Sequence, residues 1–160
     1  MLDGFTYLKT IKELKSANFN WPQVLEVNGI YFIVYKSLNK PEFLLPKGTG
    51  GWFKKKNPNV SKEKLNENWI NFKPSEDKIL YIGRAIGMNT LKARIRLYMK
   101  FGSGEPVPHW GGRYIWQIAN SDDLEIYWKE DKNSKTTERD LLREFKRKHD
   151  QRLPFANLRM

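Results

Sequence analysis

The chain contains no cysteine, which excludes disulfides and thiolate metal sites. Histidine is nearly absent too: His109 and His149 lie far apart, without the spacing of a zinc site. No apolar run reaches the length of a membrane span, so no membrane partner is expected. The first residues, Met-Leu-Asp-Gly-Phe-Thr-Tyr, lack the basic start and apolar middle of a signal peptide. A soluble, cytoplasmic protein is the expectation. Repeats, low-complexity tracts and linkers are also missing, so the 160 residues read as one domain with a core of its own.

Acid is in short supply. Against 29 lysines and arginines stand 18 aspartates and glutamates, a net charge of +11. Such a balance points to a polyanion, most often nucleic acid. The excess is concentrated: Lys36 to Lys64 holds eight lysines and two acids, and Arg84 to Arg113 holds six basic residues and one acid. Trp52, Phe53, Tyr98, Phe101 and Trp110 are interleaved with it, as in surfaces that track a backbone and stack on bases. The competing reading is a solvated cationic surface with aromatics that belong to the core.

Periodicity sets out the elements. Phe5, Leu8, Ile11 and Leu14 predict an amphipathic helix of about three turns, ending near Asn18–Asn20, as an N-terminal extension over residues 1–22. Val27–Tyr35, Ile79–Gly83 and Leu124–Trp128 read as strands. Between the first two lies a basic insert, residues 36–78, with Pro41, Pro46, Pro58 and Pro74 and a weak helix from Ser61 to Trp69. Its Gly48–Gly51 cluster reads as a flexible turn, and removal of Gly48–Asn59 is expected to weaken DNA binding while leaving the fold intact. Thr90 caps a helix to about Lys100. Arg113–Asn120 suits either strand or helix, with helix preferred. Thr137 caps a last helix whose apolar side is Leu141, Leu142, Phe145 and His149. The sum is an α+β domain: a small, mainly antiparallel three-stranded sheet flanked by helices.

Two strands each carry a tyrosine beside a glycine, and a basic helix follows. Gly29-Ile30-Tyr31 and Tyr81-Ile82-Gly83, in that order, resemble the GIY-YIG nuclease superfamily. Arg84 follows Tyr81 by three residues, where some members carry lysine. Leu91-Lys92-Ala93-Arg94 resembles the segment of the catalytic arginine, with Tyr98 four residues on. Glu138 opens the last helix, where the family places its metal-binding glutamate, and Asn157 matches an asparagine near the domain end. About fifty residues separate the two tyrosine motifs, longer than the family's spacing, and the family's separate DNA-binding domains are absent.

The resemblance implies a metal-dependent endonuclease that hydrolyses DNA through one cation, Mg²⁺ or Mn²⁺, leaving a 5′-phosphate and a 3′-hydroxyl. Glu138 would hold the metal; its plain alternative is a glutamate placed for the helix dipole. Arg94 and Arg84 would bind phosphate oxygens. Tyr31 would act as general base or orient the attacking water, its pKa lowered by the nearby cations. Tyr81 and Tyr98 would hydrogen-bond water or phosphate, with a core role for Tyr98 equally weighted. Trp52, Lys54, Lys55, Lys56, Arg96, His109 and Arg113 are the expected nucleic-acid contacts. A nuclease of RNA or branched DNA, and an inactive binding module of the same fold, remain as alternatives. A monomer is compatible with these motifs, which carry no oligomeric signature.

Overall fold

A computed structural model describes residues 1–16, 20–69 and 78–160. The expected helix end at Asn18 and Phe19, and the last part of the insert with Pro74, lie outside the described residues. The architecture is α+β, with four strands in one antiparallel sheet where three were expected. The strands are β1 (Thr6–Thr10), β2 (Gly29–Tyr35), β3 (Lys78–Ala85) and β4 (Glu125–Glu130). Their order is β1-β4-β2-β3.

The centre is β2, and every one of its residues is buried. A strand covered on both faces needs apolar residues at every position, which Gly-Ile-Tyr-Phe-Ile-Val-Tyr supplies. Its alternate side chains serve two cores. Tyr31, Ile33 and Tyr35 join the larger one with Leu91, Ile95 and Tyr98 of helix α3 (Leu91–Gly102). Ile30, Phe32 and Val34 join the smaller one with Leu142 and Phe145 of helix α4 (Ser134–Lys148).

The extra strand explains the misread N-terminus. Residues 6–10 pair with the free edge of β4, and only Ile11–Lys15 is helical, as α1 in chain order. The helix begins at Thr10, not before, because Thr10 and Glu13 form a reciprocal capping box. Phe5 stacks on Phe32 in one core (4.1 Å between centroids), whereas Leu8, Ile11 and Leu14 enter the other. Their regular spacing was therefore not one helix face.

The described part of the insert, residues 36–69, is docked on the domain. Helix α2 (Lys62–Asn68) sits in it with Ser61 as cap. Gly48 and Gly51 lie against the backbone of Trp116 and Glu105, where a Cβ would come within 2.2 and 2.0 Å of a carbonyl oxygen. Thr49 N–H donates to Trp116 O and Gly51 N–H to Phe101 O. The buried Gln117 side chain ties in Val60, accepting from its N–H at 2.8 Å and donating to its carbonyl at 3.0 Å. Removing Gly48–Asn59 would take away the donors to the Trp116 and Phe101 carbonyls, a cost that bears on the expectation of an intact fold.

Arg113–Gln117 is a short 3-10 helix, inside the segment for which helix was preferred. Helix α4 starts at Ser134, one turn before Thr137, because Ser134 Oγ donates to Ala85 O at 2.7 Å and anchors the helix start to the end of β3. Thr137 is thus no cap, and Glu138 lies inside the helix.

Both motif glycines have steric reasons. At Gly29 a Cβ would stand 2.1 Å from Lys129 O, and at Gly83 it would stand 2.4 Å from the Tyr31 ring. Gly83→Ala should therefore push Tyr31 out of place and cost about 1–3 kcal/mol of stability, measured by denaturant unfolding; an unchanged midpoint would refute the contact.

Candidate active site

The register of the sheet assembles the site. Tyr31 pairs with Gly83 and Ile33 with Tyr81, so both tyrosines emerge on the α3 face, with rings 5.9 Å apart. Arg84 pairs with Ile30 and so emerges on the α4 face. There it forms an ion pair with Glu138, whose side chain is 17% exposed. Arg94, on the first turn of α3, is half-buried and has no hydrogen-bond or salt-bridge partner among the described residues. Its charge nonetheless acts on Tyr31, Tyr81, His109 and Glu138 together. Side chains from both sides of the sheet thus converge near the end of β3.

Burial orders the phenols. Tyr31 is 0% exposed and Tyr81 is 7% exposed. Burial raises the pKa of both, that of Tyr31 well above the ordinary phenol range, and the opposing pull of Arg94 does not reverse it. This corrects the expected lowering for Tyr31: desolvation outweighs the nearby cations. Tyr81, not Tyr31, is the phenol nearer solvent. Tyr98 is 0% exposed, donates to Gly112 O at 3.0 Å, and stacks on Tyr81; it is core.

Glu138 is the lone carboxylate here, and burial raises its pKa while Arg84 and then Arg94 oppose. No group of three or more acid or histidine ligands occurs among the described residues. A single partly buried carboxylate still fits a hard cation of the Mg²⁺ type, which keeps several waters and takes further oxygens from the substrate. Arg84 would have to share Glu138 with it.

Asn157 is found at the sheet edge. Its amide accepts from Ile82 N–H at 2.8 Å and donates to Ile82 O at 2.9 Å, replacing a missing strand partner beside Tyr81 and Gly83. It holds the motif in place.

The expected nucleic-acid residues divide. His109 is 1% exposed, so it is no surface contact: it sits between Tyr98 and Tyr31. Nothing in its local sequence announced that, since the loop folds back only through tertiary contacts. Arg96 lies over the Trp21 ring (5.0 Å). Arg113 is wedged between Trp110 and Tyr114, 4.6 and 4.9 Å from their rings, and with Lys64, Lys146 and Arg152 lines a cleft of 870 Å³. Trp52 is 49% exposed, and Lys54, Lys55 and Lys56 are exposed.

The lysine turn has an unusual backbone. Lys54 and Lys55 hold φ of 51° and 59°, and Lys56 N–H donates to Phe53 O at 3.0 Å. This is a type I′ turn, whose central positions favour Asn-Gly. Two lysines there are strained, costing about 1–2 kcal/mol each, and strain of this kind marks function more often than packing.

Two outcomes follow from these placements. Replacing Lys54 and Lys55 by Asn and Gly should stabilise the protein by about 1 kcal/mol or more. Denaturant unfolding of the double variant beside the unaltered chain reads that gain. His109 has its pKa lowered from 6.5 to about 3, by burial first and Arg94 second. Between those values the unfolded chain binds a proton that the folded chain does not, so stability should fall as pH drops from about 6.5 to about 3. In His109→Phe that part of the pH slope should vanish in denaturation series run at successive pH values. Compared with known proteins, the chain matches no family model, and neither a curated protein nor a solved structure matches it.

Proposed function

We propose that this chain is a metal-dependent endonuclease that hydrolyses DNA phosphodiester bonds, of the GIY-YIG type its motifs resemble. The observation that carries the reading is the electrostatic convergence of Arg94, without a hydrogen-bond or salt-bridge partner among the described residues, on Tyr31, Tyr81 and Glu138, residues up to 107 positions apart in sequence. A core does not require a half-buried guanidinium beside two phenols and a carboxylate; a dianionic, pentavalent phosphate does.

Each group has a role it can fill. Arg94 offers a fork of donors to the non-bridging phosphate oxygens and stabilises the charge that grows there. Tyr81, the phenol nearest solvent, orients the attacking water and accepts its hydrogen bond, with Tyr31 behind it. Arg84 holds Glu138 in place and turns to phosphate when Glu138 is otherwise engaged. A divalent cation on Glu138 would supply charge neutralisation at the phosphate and leaving oxygen. The lysine turn with Trp52 tracks the backbone outside the reacting group.

A binding module without activity is the second reading, favoured by the Arg84–Glu138 pair, which occupies the one carboxylate. The deciding experiment is plasmid nicking with Mg²⁺ or Mn²⁺ beside EDTA, Arg94→Ala and Glu138→Ala. The nuclease reading expects metal-dependent cleavage that drops by about 10²–10³-fold or more in each variant. Tight, salt-sensitive binding with no cleavage of any nucleic acid would replace it by the binding module.

A further inference from the structure

Beside the Asn157 clamp on β3, the cleft of 870 Å³ collects cations from four separate segments. Lys64 comes from α2, Arg113 from the short 3-10 helix, Lys146 from α4, and Arg152 from the chain that follows it. Acid is nearly missing there. Glu67 is the one carboxylate among the described lining residues, and Lys64 already takes it at 3.0 Å. The side chains of Arg113, Lys146 and Arg152 form no ion pair among the described residues.

Lys146 and Arg152 have a plain use at the end of α4, where cations suit the helix dipole. Arg113 has no such use. It is half-buried, and its Nε and Nη1 are buried without a hydrogen-bond partner. Burial lowers its pKa, and no carboxylate acts against that. The Trp110 and Tyr114 rings ease its charge, yet they leave its N–H groups without acceptors. A guanidinium held in this way is costly unless an anion completes it. The backbone after α4 serves the same place. Asp150 and Gln151 hold φ of 48° and 63°, a left-handed conformation that side-chain-bearing residues adopt at a cost. Gln151 N–H donates to Lys146 O at 2.8 Å and Arg152 N–H to His149 O at 2.9 Å, which turns Arg152 back to the cleft.

We propose that this cleft binds one nucleotide of a nucleic-acid strand outside the reacting centre, with the phosphate on Arg113, Lys146 and Arg152 and the sugar and base along Leu153 and Leu158. Two features favour a strand over a small anion. The volume is far more than an inorganic phosphate fills and lies in the range of sites for larger ligands. The leucines in the lining offer nothing to a bare anion but suit a sugar or a base. Distance fits as well. Lys146 stands eight residues after Glu138 on α4, about 12 Å along the helix. One strand of a duplex advances about 3.4 Å per phosphate, so about three to four nucleotides span that length. The proposal rests on the nucleic-acid partner of the reading above and not on cleavage, since an inactive binding module would use the same cleft.

The test is an anisotropy titration of the full chain with labelled DNA oligonucleotides, single-stranded and duplex, at several salt concentrations. Lys146→Gln/Arg152→Gln is compared with Lys9→Gln/Lys12→Gln, which removes the same charge at β1 and α1, on the far edge of the sheet. The cleft pair should bind about tenfold more weakly, with a log–log salt slope shallower by about 1.4–1.8. The far-edge pair should keep the slope. Equal losses in both pairs would mean that net charge alone acts, and would overturn the proposal. Side-chain ¹H–¹⁵N NMR of the unaltered chain reads Arg113 without any substitution. The oligonucleotide should move its Nε–H signal, and inorganic phosphate or a nucleoside monophosphate at the same concentration should move it far less. An equal response to inorganic phosphate would replace the strand by a small anion, and no response to bound oligonucleotide would remove Arg113 from the site; either overturns the proposal. Absence of any nucleic-acid binding by the unaltered chain would defeat the partner reading itself, whereas binding indifferent to the cleft pair would defeat this proposal alone.

Discussion

The burial of β2 on both faces is the constraint from which the rest of the structure follows. A strand with neither face in water must alternate its side chains between two cores, and Gly29–Tyr35 does so without a polar interruption. Tyr31 consequently has one direction available, toward α3, and Ile30 the other, toward α4. The antiparallel register with β3 copies that choice across the pair, sending Tyr81 one way and Arg84 the other. The site near the end of β3 is thus drawn from both layers.

Holding such a site requires that β3 not slide or fray, although it is an edge strand. Edge strands ordinarily leave a row of donors and acceptors free. Here Ala156 N–H donates to Leu80 O, and the Asn157 amide satisfies both backbone groups of Ile82. The C-terminal segment acts as a fifth strand built partly from a side chain. Tyr81 and Gly83 flank Ile82, so this clamp sets the height of the phenol and the space under the Tyr31 ring. Asn157 is therefore a positioning residue, as is Tyr98, whose hydroxyl is committed to Gly112.

Electrostatics within the site are governed by depth. The pair Arg84–Glu138 sits outermost, Tyr81 next, and Tyr31 and His109 innermost. Each step inward makes charge costlier, which is why the inner phenol is held further from ionisation than the outer one and why the histidine stays neutral. Arg94 is the one cation that acts across all these depths. No described helix is long and apolar enough to cross a membrane.

The sequence by itself determined β2, β3 and β4, because their runs of β-branched and aromatic residues favour strand locally, and it determined α3 through Thr90 and its apolar side. It also marked Tyr31, Tyr81, Arg84, Arg94 and Glu138, since their order and spacing resemble a known pattern. Local signals failed where partners are distant. Residues 6–10 became a strand because β4 offered an open edge. The start of α4 moved to Ser134 because Ala85 offered a carbonyl. The insert docked because Gln117 met Val60. Tertiary structure alone decided which tyrosine faces solvent and where His109 lies, because depth and hydrogen-bond direction are properties of packing between segments, and no window of the chain contains both partners.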